Sequence, residues 1–328
     1  MTRVLVIGAS GMIGVKLVAR LVADGAVGGK AIDALDMVDV VQPTIPDGAP
    51  FKIERRAIDL TVPGNAEVVI APRPDVIFHL AAIVSGEAEA DFDKGYRVNL
   101  DGTRYLFDAI RKAGDGYTPR VVFTSSIAVF GAPFPDAISD EFFETPLTSY
   151  GTQKAIGELL LSDYTRRGFM DGIGIRLPTI CVRPGKPNKA ASGFFSGIIR
   201  EPLAGQEAVL PVPESVRHWH ASPRSAIGFL VHAAGLDGAR LGTRRNLSMP
   251  GVSATVGEQI AALAKVAGDK VAKRIRRAPD AAIMKIVEGW PRNFAPERAT
   301  ALGFKAERNF EEIVRIHIED ELGGSWVH

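Results

Sequence analysis

The chain has 328 residues, a formal net charge of +1 and an ordinary balance of apolar and charged residues. That length accommodates one large domain or two unequal ones. Charges of both signs are spread without blocks, so nothing electrostatic calls for a nucleic acid or an anionic membrane as partner.

The first apolar run, Val4-Leu5-Val6-Ile7, is too short for a signal-peptide core and ends at Gly8. No stretch approaches the length of a membrane span, and a single cysteine fits a reducing cytoplasm, the expected location. Strand and helix signals then alternate. Arg3 to Ile7 reads as a strand buried on both faces. Ile13, Leu17, Val18, Leu21 and Val22 recur at helical spacing. Ala34 to Asp39, Phe51 to Ile58 and Asp75 to Leu80 read as strands, Asp91 to Ala113 as one long helix, Arg120 to Ser125 as a strand, Ser149 to Arg167 as a helix and Gly172 to Leu177 as a strand. This alternation predicts an α/β fold, a doubly wound parallel sheet of the Rossmann kind.

From Pro178 onward prolines and glycines are frequent and strands short. Helical patterns return at Ser192 to Glu201, Pro223 to Leu236, Val256 to Ala267, Ala281 to Gly289 and Phe310 to Leu322. The expectation is a nucleotide-binding domain over 1–177 and a smaller mixed α/β substrate lobe over 178–328, with 223–236 a candidate to return to the first domain. Cys181 is the only cysteine, so no internal disulfide or thiolate metal cluster is possible, and it is expected to pack as a small apolar residue. No metal site is expected.

Gly8-Ala9-Ser10-Gly11-Met12-Ile13-Gly14 has the spacing G-x-x-G-x-x-G between the first strand and the first helix. Glycines there permit a tight turn and a close backbone approach to a pyrophosphate, and the helix start supplies unpaired N–H donors. An acid at the end of the second strand should accept from the adenosine ribose hydroxyls. Asp36 and Asp39 both qualify, and Asp39 is favoured because it stands last. A carboxylate there repels a 2′-phosphate, so NAD is expected over NADP; no arginine stands next to either acid along the chain. Asp59 and Leu60 are expected to flank adenine. Leu80, Ala81 and Ala82 line the cofactor or simply pack tightly, and the sequence leaves both open.

Tyr150 and Lys154 are four apart at the start of a helical segment and share one face. Free tyrosine has a pKa near 10, a poor base at neutral pH. A lysine ammonium beside it favours the phenolate, which can then accept a proton from a substrate hydroxyl. Ser125 and Ser126 end a strand, where ligands of open parallel sheets bind, and a serine there can donate to a reacting oxygen.

These motifs, in this order, resemble the extended short-chain dehydrogenase/reductase family, also called the NAD-dependent epimerase/dehydratase family. The resemblance covers nearly the whole chain. It rests on Gly8 to Gly14, His79-Leu80-Ala81-Ala82, Val98-Asn99-Leu100-Asp101-Gly102-Thr103, Ser125 to Gly131, Tyr150 to Lys154 and Arg176-Leu177-Pro178. It implies Ser126, Tyr150 and Lys154 as catalytic residues, Asn99 and Pro178 among those lining NAD, and a homodimer through the two long helices. Leu106, Ile110 and Leu161 are the apolar residues expected at that dimer face. Phe130 stands where the family commonly has tyrosine. Ile127 and Ala128 stand where sugar-nucleotide dehydratases carry an acidic pair, which argues against elimination.

The stretch Arg176 to Asn188, then Ala191-Ser192-Gly193-Phe194-Phe195, and Arg217 to Arg224 resemble the D-erythronate dehydrogenase subgroup. That implies a small sugar acid oxidised at its 2-hydroxyl. Arg183 could clamp its carboxylate bidentately, or be no more than a surface arginine. Ser85, Thr179 and His220 are further candidates to touch substrate, and Arg217 and Arg224 are alternative clamps. A nucleotide-sugar epimerase and a non-catalytic NAD-sensing protein are the rival readings; the sensor is disfavoured because Tyr150 and Lys154 are both present.

Overall fold

The computed structural model describes residues 1–185 and 191–328. Lys186, Pro187 and Asn188 of the motif noted above lie outside the described residues. The chain divides into two compact units: residues 1–129, 148–176 and 227–247 form one, and 130–147, 177–226 and 248–328 the other.

The first unit is built on a sheet of seven strands: β1 (Arg3–Ile7), β2 (Ala34–Asp39), β3 (Lys52–Ala57), β4 (Val76–His79), β5 (Arg120–Ser126), β6 (Asp171–Leu177) and β7 (Asn246–Ser248). Their spatial order is β3-β2-β1-β4-β5-β6-β7. β1 runs parallel to β2 and β4, β2 to β3 and β4 to β5. The doubly wound order reverses between β1 and β4, the crevice where such sheets bind ligands at the strands' carboxyl ends. Val4 to Ile7 are all buried, as a central strand requires. β3 carries Lys52, Glu54 and Arg56 along its length, charges suited to an unpaired edge.

Three helices carry most of the packing: α1 (Met12–Asp24), α2 (Gly102–Lys112) and α3 (Ser149–Arg166). Leu106, Phe107 and Ile110 of α2 and Leu161 of α3 join Leu5, Ile7, Val121 and Phe123 in one apolar core. The expectation that Leu106, Ile110 and Leu161 remain for a partner subunit is therefore wrong: all three are fully buried within their own chain. On α3 the exposed apolar residue is Leu159, at 66%.

The expected single helix over 91–113 is also corrected. The chain forms a short turn of helix at Phe92–Gly95, a π-helical turn at Tyr96–Asp101, and only then α2. Thr103 donates its hydroxyl to the Asn99 carbonyl at 2.8 Å inside this transition. Such π turns concentrate where a helix must aim a side chain for function.

In the second unit, Arg217–Ala221 is the central strand of a three-stranded sheet between Thr179–Ile180 and Val252–Thr255. Helices Gly193–Leu203, Val256–Ala267 and Phe310–Leu322 contribute Phe195, Ile198, Leu263, Phe310 and Ile313 to its core. Cys181 is buried in the same core, its Sγ 3.3 Å from the Phe195 carbonyl.

Candidate active site

The turn after β1 needs its glycines for different reasons. Gly8 has φ +89°, and a Cβ there would come within 2.7 Å of the Ala81 nitrogen. A Cβ on Gly14 would lie 2.1 Å from the Gly8 carbonyl oxygen. At Gly11 a Cβ would meet only that same oxygen, at 3.5 Å, so this side of the turn is open. α1 starts here with no side-chain cap at Gly11 and no acid in its first turn. The donors at Met12, Ile13 and Gly14 thus lack a side-chain acceptor, and the cradle fits a dinucleotide pyrophosphate.

The two acids of β2 are separated by their partners. Asp36 is buried, with Arg3 Nε at 2.8 Å and Arg56 at 3.9 Å. The absence of a neighbouring arginine thus holds along the chain but not in space. Asp36 is consumed by this ion pair. Asp39 is partly exposed and accepts from the Ser10 N–H at 2.9 Å and the Val40 N–H at 2.7 Å. It is therefore tied to the glycine turn itself, with lone pairs left for a ribose. Asp59 is exposed and Leu60 buried just beyond β3. Leu80 and Ala81 are partly buried after β4, and the Ala81 backbone packs on Gly8. Ala82 is exposed, and Ser85 begins the short helix Ser85–Ala90.

Asn99 is buried and serves as a strut. It accepts from the Ile83 N–H at 2.9 Å, and its amide donates to the Ile83 carbonyl at 3.2 Å and to Gln153 Oε1 at 2.8 Å. Through it the loop after β4 is fastened to α3. Thr148 caps α3, accepting from the Gly151 N–H at 3.0 Å, and so fixes the turn that carries Tyr150.

Lys154 is 2% exposed. Its Nζ donates to the Thr124 carbonyl at 2.8 Å and lies 4.9 Å from the Phe123 ring centre and 5.8 Å from that of Tyr150. Burial pushes its pKa down to about 8, against the opposing pull of Glu158. It is therefore still mostly charged at neutral pH. Ser126, at the end of β5, accepts from the Ala128 N–H at 3.1 Å. That leaves its hydroxyl proton to donate elsewhere. Ser125 is instead turned inward, its hydroxyl bonded to Glu158. Strand end and helix start thus place Ser126, Tyr150 and Lys154 in one unit.

In the second unit, Thr179 Oγ1 lies 2.7 Å from His218 Nε2, and Pro178 before it is buried. Arg183 is held rather than loose: Nε donates to the Ile180 carbonyl at 2.9 Å and Nη2 to Ser192 Oγ at 2.7 Å. His220 is fully buried, edge-on to Phe195 and Phe310, with Nε2 3.0 Å from the Gln259 amide. It packs against these rings. The alternative clamps are also committed, Arg217 to Glu258 and Ser253, and Arg224 to Glu319 and Asp320. Among the described residues no cluster of His, Cys, Asp and Glu could hold a metal ion.

The model of the NAD dependent epimerase/dehydratase family matches residues 4–221. The chain belongs to that family. The cradle at Gly8 to Gly14 and the Tyr150–Lys154 helix are thus in a family described as NAD dependent. A Cupriavidus necator protein named D-erythronate dehydrogenase is 47% identical over 321 residues, covering 97% of this chain and 98% of its own. A Haemophilus influenzae protein of the same name is 41% identical over 320 residues, covering 98% and 100%. An Agrobacterium tumefaciens crystal structure, described as a nucleoside-diphosphate-sugar epimerase, superposes with a TM-score of 0.97 at 69% identity, covering 99% of this chain and 95% of that one. Among the described residues no helix is long and apolar enough to cross a membrane.

The sequence reading missed Glu158, Gln153 and Thr148 as supports. Thr148 had a legible signal, a capping threonine directly before a helical run. Glu158 had a partial one, an acid one turn after Lys154. Gln153 had none.

Proposed function

We propose that this chain is a dehydrogenase that uses NAD to oxidise a small sugar acid, D-erythronate, at its 2-hydroxyl to the 2-keto acid. The carrying observation is the likeness over nearly the full length to two proteins named D-erythronate dehydrogenase, at 47% and 41% identity. Gly8, Ser10, Gly11, Met12, Ile13 and Gly14 would hold the pyrophosphate of NAD and Asp39 its ribose, and the cofactor would supply the hydride acceptor. Asp59, Leu60, Leu80, Ala81, Ala82 and Pro178 would line it, and Asn99 holds the loop after β4 in place.

Every proton step falls to the chain's own residues. Ser126, which accepts from the Ala128 N–H and keeps its hydroxyl proton free, donates that proton to the substrate oxygen. Tyr150 as phenolate takes the hydroxyl proton. The buried Lys154 ammonium stabilises that phenolate and is itself aimed by the Thr124 carbonyl. Arg183, whose guanidinium is fixed by the Ile180 carbonyl and Ser192, would clamp the carboxylate, and Thr179 would meet a hydroxyl. Ser85 adds a further polar contact.

One observation favours a second reading, the name nucleoside-diphosphate-sugar epimerase on the structure at 69% identity. An epimerase turns over a nucleotide sugar without net change in its NAD. Assaying NADH formation with aldonic acids beside UDP-sugar interconversion separates the two, because only the dehydrogenase releases NADH in proportion to product. A cytoplasmic homodimer completes the proposal, with Leu159 among the residues facing the partner; light scattering that shows a monomer at micromolar concentration overturns the assembly.

A further inference from the structure

The second unit contains a hydrogen-bond relay with only one possible direction. The His218 ring is buried and stacks on Phe195, with 5.2 Å between ring centres and 4° between planes. Its Nδ1 lies 2.7 Å from the Pro291 carbonyl oxygen and its Nε2 2.7 Å from Thr179 Oγ1. A carbonyl can only accept, so Nδ1 carries a proton. Burial holds the imidazole neutral, its pKa pushed down to about 4. Nε2 is then the bare nitrogen and can only accept. The Thr179 hydroxyl must donate to it. A hydroxyl ordinarily rotates to donate or accept as its neighbour demands. This one has its hydrogen committed and offers only lone pairs.

Arg183 supplies the complementary half. Its Nε donates to the carbonyl of Ile180, the residue directly after Thr179, so cation and acceptor belong to one short stretch. The positive charge of Arg183 also helps keep both His218 and His220 unprotonated. A cation beside an acceptor-only oxygen suits a carboxylate with a hydroxyl next to it. It disfavours a second carboxylate or a carbonyl at the same place, because neither can donate and both would face the lone pairs.

We propose that His218 is a positioning residue that makes Thr179 an obligate hydrogen-bond acceptor, so that an acid held by Arg183 is selected for a donor hydroxyl near its carboxylate. The inference rests on the sugar-acid reading above, and two measurements keep the claims apart. The first is 15N NMR of the imidazoles of the full chain, with the His218 signals assigned by their loss in His218→Phe. The expected signature is a neutral ring with Nδ1 protonated and Nε2 bare.

The second is kinetic, comparing D-erythronate with 2,4-dihydroxybutanoate, which lacks the hydroxyl next to the reacting one. The wild type should favour erythronate in kcat/KM by roughly three- to tenfold, the worth of one neutral hydrogen bond. Thr179→Ser should keep that preference. Thr179→Val, which removes the hydroxyl, should lose it, and His218→Phe, which frees that hydroxyl to rotate, should weaken it. The double variant should be no worse than Thr179→Val alone, since both act through one contact. A protonated Nε2, a Thr179→Val enzyme that still prefers erythronate, or losses that simply add would each overturn the proposal. If the wild type oxidises neither acid, the substrate reading fails, and the tautomer alone decides whether the relay exists.

Discussion

Arg176 and Glu158 form a buried two-pronged ion pair one helical turn from Lys154, with Nε 3.0 Å from both carboxylate oxygens and Nη2 2.6 Å from Oε2. The carboxylate also receives the Ser125 hydroxyl, so one group ties α3, β6 and the end of β5 together beside Lys154. A buried pair of this kind is a poor source of net stability, yet removing one partner strands the other charge.

Glu158→Gln should therefore destabilise the fold by about 3–5 kcal/mol in urea unfolding. Glu158 also raises the pKa of Lys154. Its loss should shift the alkaline fall in activity to lower pH, because Lys154 sheds its proton sooner. A variant as stable as the parent, with an unmoved pH profile, contradicts the role.

Tyr150→Phe removes only the phenolic oxygen. NAD binding, followed by fluorescence titration, should persist while kcat falls by roughly two to four orders of magnitude. Near-normal turnover would remove Tyr150 from the mechanism.

Asp39 accepts from the Ser10 N–H of the glycine turn, so its charge stands at the edge of the nucleotide cradle. NAD should be used far better than NADP, and Asp39→Ala should narrow the gap. Equal efficiency of the two cofactors in the parent protein rejects the assignment.

Much of this was legible in the sequence, for reasons that can be named. Strand and helix ranges followed from periodicity, the Tyr150–Lys154 pair from its spacing, and the choice of Ser126 over Ser125 only from the family resemblance. What escaped was contact across sequence distance. Asn99 meets Gln153 54 positions on, and Arg224 meets Asp320 96 positions on. No local pattern marks such partners, so the ion pairs of Arg224 and Asp36 did not show in the sequence. The π turn at Asn99 escaped too, because 91–113 keeps a helical pattern throughout. Leu106, Ile110 and Leu161 were assigned to a partner because periodicity identifies an apolar face without saying which surface covers it.

Three of the buried histidines weaken the fold toward acid. Burial pushes His79 down to about 3, His218 down to about 4 and His220 well below its ordinary value of 6.5. Between about pH 6.5 and 4 the unfolded chain binds protons that the folded one refuses, so stability must fall as pH falls through that window. Each histidine contributes up to about 1.4 kcal/mol per pH unit. Urea midpoints should be nearly level from pH 8 to 7 and drop steeply from pH 6.5 to 5. A flat response down to pH 5 contradicts the neutral burial of these rings.

The central claim is net oxidation of a small hydroxy acid, and the most direct measurement is the stoichiometry of NADH and 2-keto acid formed from D-erythronate, with the parent protein and Arg183→Ala assayed side by side. The account predicts equal amounts of NADH and keto acid. It also predicts that Arg183→Ala raises KM by about ten- to a hundredfold while leaving kcat largely intact, because a carboxylate clamp binds ground state and transition state alike. No NADH from any aldonic acid, with interconversion of a UDP-sugar instead, would contradict it.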